Sequence, residues 1–434
     1  MGGQMRGSRV KGSQHGGRTW FRLDNAAKLY PAIANGRWQS FFRFSLTLDE
    51  TVDPDTLEQA VNDTLERFPS MKVRLRRGVF WYYLEHNPLR CLVREETGHP
   101  CMRLREKENN GYLFRLIYYH QRVSIEMFHV LTDGTGGLIF LKNVVAQYLR
   151  LRGISVACTH GVVDFAQPPP PEETEDAHAR LPRDIPHASR KESRAWQMPG
   201  TKEPPHTLHV VEGRMSVDRL KAKAGAMGVT ITEYLVAVMI YCMYLRAQDM
   251  PGKKRPIKVS VPVNMRKFMG VSTMRNFSFY VNAGIDPRLG TYTLAEIANH
   301  VHHYMRYAMQ PKLLFSSMAT NVASERNVLI RIAPLFIKKL VLRQVFHAVG
   351  ETLFSSVLTN VGVVELPEGM RDHVQAADML LGPSVLPRCN CAAVSLNGTF
   401  TLTFTRNIVE PDFARDVLCF LQQEGIGVTV TSNQ

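Results

Sequence analysis

Among the residues whose type and spacing could do chemistry, His129 stands first. It opens His129-Val130-Leu131-Thr132-Asp133-Gly134, a His-x-x-x-Asp-Gly pattern that runs on into Thr135-Gly136-Gly137. A neutral imidazole can take a proton from a hydroxyl, amine or thiol as that group attacks a carbonyl. Such a base must be held in one orientation, so something must brace the loop. Asp133 lies four residues on, too far round a tight bend to share the face of His129. It is expected to pair with a distant cation rather than to act as the second member of a relay. Gly134 removes a Cβ where a substrate chain would pass. The plain alternative is a strand-loop-helix joint in which Asp133 or Thr135 caps the helix and His129 is satisfied in the core. The short motif by itself leaves both readings open.

The elements that must position His129 are legible on either side of it. Val123, Ile125 and Met127 alternate with Ser124 and Glu126, which predicts a half-buried strand. Leu138, Phe140, Leu141, Val144, Val145, Tyr148 and Leu149 recur at helical spacing. Residues 19–165 form a first half around this unit. A linker over 166–205 follows, rich in proline and charge, with Pro168-Pro169-Pro170-Pro171 ahead of Glu172, Glu173, Glu175 and Asp176; an extended spacer without chemistry is expected. The second half, 206–434, predicts a strand from Thr207 to Val211, a helix from about Val217 and a helix from Ile231. Thr230 and Glu233 form a capping box for the latter. A strand over Ile257–Val263, a helix over Leu294–Met309, strands near Ala392–Leu396 and Phe400–Thr405, and a last helix from about Pro411 complete it. Strands and helices mixed in both halves suggest two α/β layers.

Composition bounds the rest. The 434 residues can hold two domains of ordinary size. A hydrophobic fraction of 44% and a charged fraction of 21% are those of a globular protein. No uncharged apolar run is long enough to span a membrane. Residues 1–18 are basic and Gly-rich without an apolar stretch, and read as a disordered tail or a start-site artefact rather than a signal peptide. The seven cysteines are an odd number without paired metal spacing; Cys389 and Cys391 fall on one face of a strand and belong in a core. A reducing cytoplasm is the simplest setting. The net charge of +14 is spread out, and no nucleic-acid module is recognisable. The apolar segment Phe336–Phe346 carries a basic stripe. It could touch a membrane surface, but packing by its apolar face with the basic face in solvent is the expected arrangement.

Further segments carry a resemblance. These are Arg18-Thr19-Trp20-Phe21-Arg22-Leu23-Asp24-Asn25-Ala26-Ala27-Lys28-Leu29-Tyr30-Pro31; the stretch Leu57–Arg74 with Arg67-Phe68-Pro69; Val261-Pro262-Val263-Asn264-Met265-Arg266 with Arg275-Asn276-Phe277; and Leu358-Thr359-Asn360-Val361-Gly362. In this order, with the His129 motif, they resemble the CoA-dependent acyltransferase superfamily over most of the chain after residue 18. That group includes chloramphenicol acetyltransferase, peptide-synthetase condensation domains, plant BAHD enzymes and bacterial alcohol acetyltransferases, and the chain is most similar to the last of these. Two departures matter. Phe128 stands where condensation domains carry a first histidine, which argues against a peptide-forming module. The plant Asp-Phe-Gly-Trp-Gly segment is absent.

The resemblance implies an α/β (α+β) fold of two chloramphenicol-acetyltransferase-like subdomains, mixed sheets flanked by helices, with an active-site tunnel between them. It implies acyl transfer, acetyl among the candidate groups, from acyl-CoA or an acyl-phosphopantetheine carrier to a small-molecule alcohol, or an amine, with His129 as general base. No nucleophile elbow is present, so no covalent acyl-enzyme is needed. It implies an Asp133–Arg266 salt bridge behind the loop, and Thr359 and Asn360 as tunnel-lining and oxyanion candidates, which could equally form a plain strand-end turn. Neither a metal nor a permanently bound cofactor is implied, and a monomer is expected. The positive charge suits CoA phosphates or an acidic acyl carrier protein. The rivals are a catalytically silent condensation-like binding or docking module and a serine-type hydrolase.

Overall fold

The alternation around Ser124 does form a strand, Arg122–Phe128, at the centre of a five-stranded sheet. Across the sheet run Val374–Leu381, Phe41–Leu48, Arg122–Phe128, Phe114–Tyr119 and Val93–Glu95, antiparallel except for the last pair. Register sets Phe42 opposite Met127, Phe44 opposite Ile125 and Leu46 opposite Val123. These large side chains are all buried, and they share the face that the helix Gly134–Leu151 covers. This computed structural model describes residues 20–34, 39–182, 185–186, 192–248, 250, 254–326 and 328–433. The basic tail 1–18 lies outside them.

Ser124 and Glu126, expected on the open face of a half-buried strand, are buried as well. A carboxylate can be buried only with partners, and Glu126 has them. It accepts from the Cys101 amide at 2.7 Å and from Arg115 Nε at 2.6 Å, with Arg43 at 3.4 Å. Arg43 also donates to Ser124 Oγ at 2.7 Å. A polar stripe therefore marks a buried ion network here, and polarity alone could not tell that from solvent.

The stretch Leu57–Arg74 is helical only in its first part, which belongs to a helix Pro54–Arg67. Phe68 precedes Pro69 and leaves the helical region, as the residue before a proline tends to do. The chain then turns into a small sheet of Trp20–Arg22, Tyr82–His86 and Val73–Arg77.

The second half builds a seven-stranded sheet in the order Ser278–Ile285, Ile257–Asn264, Ser356–Val363, Cys389–Leu396, Thr399–Arg406, His209–Ser216 and Thr429–Ser432. The anticipated helices appear as Val217–Ala226, Ile231–Gln248, Leu294–Ala308 and Asp412–Gln423. Thr230 and Glu233 make the expected reciprocal bonds at the start of the second of these. Every residue of Cys389–Leu396 is buried. Cys389, Cys391 and Ala393 face the second half's core, whereas Ala392, Val394 and Leu396 join the first half's core. One strand buried on both faces thus ties the two layers together, which explains its lack of polar alternation. The strand Val374–Leu381 makes a second tie: it leaves its own half and pairs along Phe41–Leu48.

Among the described residues, no single helix is long and apolar enough to cross a membrane. The mixed two-layer α/β architecture is the one expected. One helix reverses its expectation. Leu335–Val349 turns Phe336, Ile337, Leu340, Val341 and Val345 outward and buries Lys338.

Candidate active site

His129 follows the strand Arg122–Phe128, and its backbone amide donates to the Ser40 carbonyl at 2.9 Å. Phe128, at the position of the missing first histidine, is buried against Phe41. The His129 ring stacks on Tyr30 with 4.6 Å between centroids and meets the edge of Phe42 at 5.2 Å. Its Nδ1 lies 3.0 Å from Asn276 Oδ1. The amide of Asn276 is oriented in turn, because its Nδ2 donates to Asp24 Oδ2 at 3.2 Å. Asp24 is itself fully buried, accepts from the Ala27 amide at 2.7 Å and faces Arg275 at 3.6 Å. Burial raises the pKa of Asp24 against the pull of Arg275; as a carboxylate it accepts and does not donate, which turns the NH2 of Asn276 towards Asp24 and its carbonyl towards the histidine. Nδ1 then carries the proton, and Nε2 keeps a free lone pair. That is the tautomer a general base requires.

Burial lowers the pKa of His129 below its ordinary value, against the upward pull of Asp133, its own carbonyl, Asn276 and Asp24. The ring is neutral at pH 7.

Asp133 holds this arrangement from behind. Its Oδ1 accepts from the Gly136 amide at 3.2 Å, so it caps the helix Gly134–Leu151. Its Oδ2 accepts from Arg266 Nη1 at 2.8 Å and from the Phe277 amide at 2.8 Å. The anticipated bridge and its alternative, a helix cap, are thus both present in one carboxylate. Burial would raise the pKa of Asp133, but Arg266 and the two amides outweigh it and hold the acid below its ordinary range. Arg266 spends its remaining donors on the carbonyls of Thr273 at 2.8 Å and Arg275 at 2.6 Å. Asn264 fixes the start of the same turn by accepting from the Arg266 amide at 3.0 Å, and donates to Thr135 Oγ1 at 3.1 Å. The segment 273–277 is therefore pinned at both ends, with Asn276 on His129. Asp133 touches the histidine only through that segment.

The linker is more than a spacer. Glu173 forms a two-pronged pair with Arg67, at 2.8 and 3.0 Å. The Glu173 carbonyl accepts from the Met274 amide at 2.8 Å, and the Glu175 carbonyl from Thr273 Oγ1 at 2.6 Å. Residues before the second half thus clamp the segment that carries Asn276.

The glycines of the loop differ in how much room they have. A Cβ on Gly134 would meet Met379 and Phe44 only at 3.7 Å or more, an ordinary contact. On Gly136 it would fall 2.1 Å from Thr132 Oγ1 and 2.5 Å from the Met274 carbonyl; on Gly137, 2.7 Å from Phe42. The close approach of the Met274 backbone therefore demands Gly136, and the packing of helix on sheet demands Gly137.

Thr359 and Asn360 lie at the end of the strand Ser356–Val363, where its register shifts. Asn360 Nδ2 donates to Thr232 Oγ1 at 2.9 Å, and its Oδ1 accepts from the Gly362 amide at 2.9 Å. Those bonds make a strand-end turn and do not join the His129 network. Asp24, Tyr30 and Asn276 are the site residues that sequence reasoning passed over. All three sit in segments quoted for their resemblance, which was the available signal.

No model of a protein family matches the sequence, and no curated protein matches it. Solved structures do. Over 93% of this chain and 98% of the other, it superposes on polyketide synthase associated protein 5 from Mycobacterium tuberculosis, with a TM-score of 0.62 and 16% identity. It covers 95% of itself and 99% of F. sporotrichioides TRI101, solved with coenzyme A and T-2, at a TM-score of 0.64 and 12% identity. The trichothecene 15-O-acetyltransferase from Fusarium sporotrichioides gives 0.60 and 11%, over 95% and 97% of the two chains. The likeness is one of fold, over 93% to 95% of the chain.

Proposed function

We propose that this protein is an acyltransferase that moves an acyl group from a thioester to a small-molecule acceptor, with an alcohol preferred over an amine. The observation that carries the reading is the orientation of His129: Nδ1 tied to Asn276 Oδ1 at 3.0 Å, with Asn276 tied to Asp24, which leaves Nε2 as the base. The fold shared with an acetyltransferase and with a coenzyme A complex supports it.

In this mechanism Nε2 of His129 takes the hydroxyl proton of the acceptor. The acceptor oxygen attacks the thioester carbonyl, whose π electrons move to oxygen. The tetrahedral species collapses, the C–S bond breaks, and the thiolate takes the proton back from the imidazolium. Ester and thiol leave; no group stays on the protein. Asp133, Arg266 and Asn276 position the base and touch no substrate. Asn276 Oδ1 also stabilises the transient imidazolium through Nδ1–H. Asn360 Nδ2 gives one of its two N–H groups to Thr232 Oγ1, so oxyanion support from this turn would fall to its second N–H or to the Thr359 hydroxyl. The donor is acyl-CoA or an acyl-phosphopantetheine carrier.

The test is a panel of acyl-CoAs with alcohols and amines, followed by release of free thiol. Thiol release that depends on an alcohol supports the reading. A clear preference for amines in competition overturns the acceptor assignment, and no acceptor-dependent release with any donor overturns the reading as a whole.

A further inference from the structure

The helix Leu335–Val349 is inside out. Phe336 is 66% exposed and Leu340 63%, whereas Lys338 is 5% exposed. Phe336, Ile337, Leu340 and Val341 follow i, i+1, i+4, i+5 spacing, so they form one outward stripe. The hairpin tip between Val73–Arg77 and Tyr82–His86 extends it, with Val79 73% exposed and Phe80 exposed beside it. The two pieces are joined. The Leu335 amide donates to the Val79 carbonyl at 2.9 Å, and the buried Lys338 ammonium donates to the Phe80 carbonyl at 3.0 Å and lies 4.2 Å over the Trp81 ring. Lys338 thus serves as the internal anchor that fixes the apolar stripe outward. Soluble monomers rarely expose a contiguous apolar surface of this kind without a partner for it.

Charge indicates which partner. No Asp or Glu occurs in residues 326–350 or 67–84, the two segments that build the face. Arg77, Arg331, Lys339 and Arg343 supply cations there. Burial lowers the Lys339 pKa, and Arg343 and Arg77 lower it further, which places the three together. A second copy of the chain would set these cations against their own kind. Side chains this exposed project from the surface rather than line a groove, so they suit insertion into a soft apolar layer beneath an anionic surface.

We propose that this face docks the protein on a membrane that carries anionic lipid. The face is also wired to the site. Arg343 donates to the carbonyls of Ala32 at 3.0 Å and Ala34 at 3.3 Å, at the end of the short helix Leu29–Ile33, whose Tyr30 stacks on His129. Docking would bring the base within one packed helix of the bilayer, where apolar acceptors and long acyl chains concentrate.

Flotation of the whole chain with vesicles tests this independently of any catalysis. The protein should float with phosphatidylcholine vesicles that contain phosphatidylglycerol and stay behind with pure phosphatidylcholine. Phe336→Glu combined with Leu340→Glu should abolish flotation while thiol release from a soluble donor and a soluble alcohol persists. Arg77→Gln and Arg331→Gln should each weaken partition about fivefold. If the apolar double variant fails to fold by its thermal transition, the two arginine variants decide the matter alone. Absence of flotation, flotation indifferent to the arginine variants, a dimer that the double variant dissolves, or binding only to an acidic carrier protein overturns the proposal.

Discussion

Removal of Arg266 should do more damage than its distance from the substrate suggests. Asp133 and Arg266 keep 5% and 8% of their side chains exposed and meet at 2.8 Å. Loss of one partner of a buried pair leaves the other charge uncompensated, which costs ~3–5 kcal/mol. Asp133→Ala also loses the helix cap, a further ~1 kcal/mol, and strands the Phe277 amide. Arg266→Ala leaves the Asp133 carboxylate with two amide donors but frees the carbonyls of Thr273 and Arg275. Asp133→Ala should therefore be the worse of the two, and Asp133→Asn, which keeps a capping oxygen, milder by about 1 kcal/mol. The double variant Asp133→Ala/Arg266→Ala should lose less than the sum of the singles, with a coupling of ~0.5–3 kcal/mol. Urea unfolding of the wild type and the four variants measures this, provided that the transition slope is common to all. Each variant should also lose turnover, because the segment that holds Asn276 is released. Strictly additive losses, or an Arg266→Ala protein with native stability, would refute the reasoning.

Three further outcomes follow from the same site. The pH profile of turnover should have its acid limb below 6.5, the ordinary histidine value, because burial lowers the pKa of His129; activity persists above that folded-state pKa and is lost as pH falls through it, and a limb above 6.5 would contradict the assignment. Asn276→Ala should lower kcat about tenfold or more with little change in KM for the donor. Because the Asn276 hydrogen bond raises the His129 pKa, the same variant should move the acid limb to lower pH, a displacement that a merely structural residue would not produce. Gly136→Ala should fail to give folded protein, since its Cβ would sit 2.1 Å from Thr132 Oγ1, while Gly134→Ala should fold, as a thermal melt of the two would show.

Much of this site is local in sequence, and that part was legible. His129, Asp133 and the helix that follows share one strand-loop-helix unit, and periodicity alone finds it. The Asp133–Arg266 pair spans 133 positions, and only the resemblance carried it. Asp24 and Asn276 are 252 positions apart, and neither has a pattern that announces contact with an imidazole. Burial on both faces erased alternation from Cys389–Leu396, and the crossing of Val374–Leu381 into the other sheet leaves no trace in composition. The segment Phe336–Phe346 misled because amphipathic spacing fixes which residues share a face and not which way that face points. A single buried lysine, Lys338, sets the direction there.

The central claim is that His129 transfers a proton during thioester attack. Incubation of the protein with an acyl-CoA and an alcohol, followed by mass-spectrometric detection of the ester, tests it in wild type and in His129→Ala. The account predicts ester and free thiol in equal amounts from the wild type, and a loss of about a hundred- to ten-thousand-fold in a variant that still folds and binds donor. Ester formation by His129→Ala at an undiminished rate would contradict it.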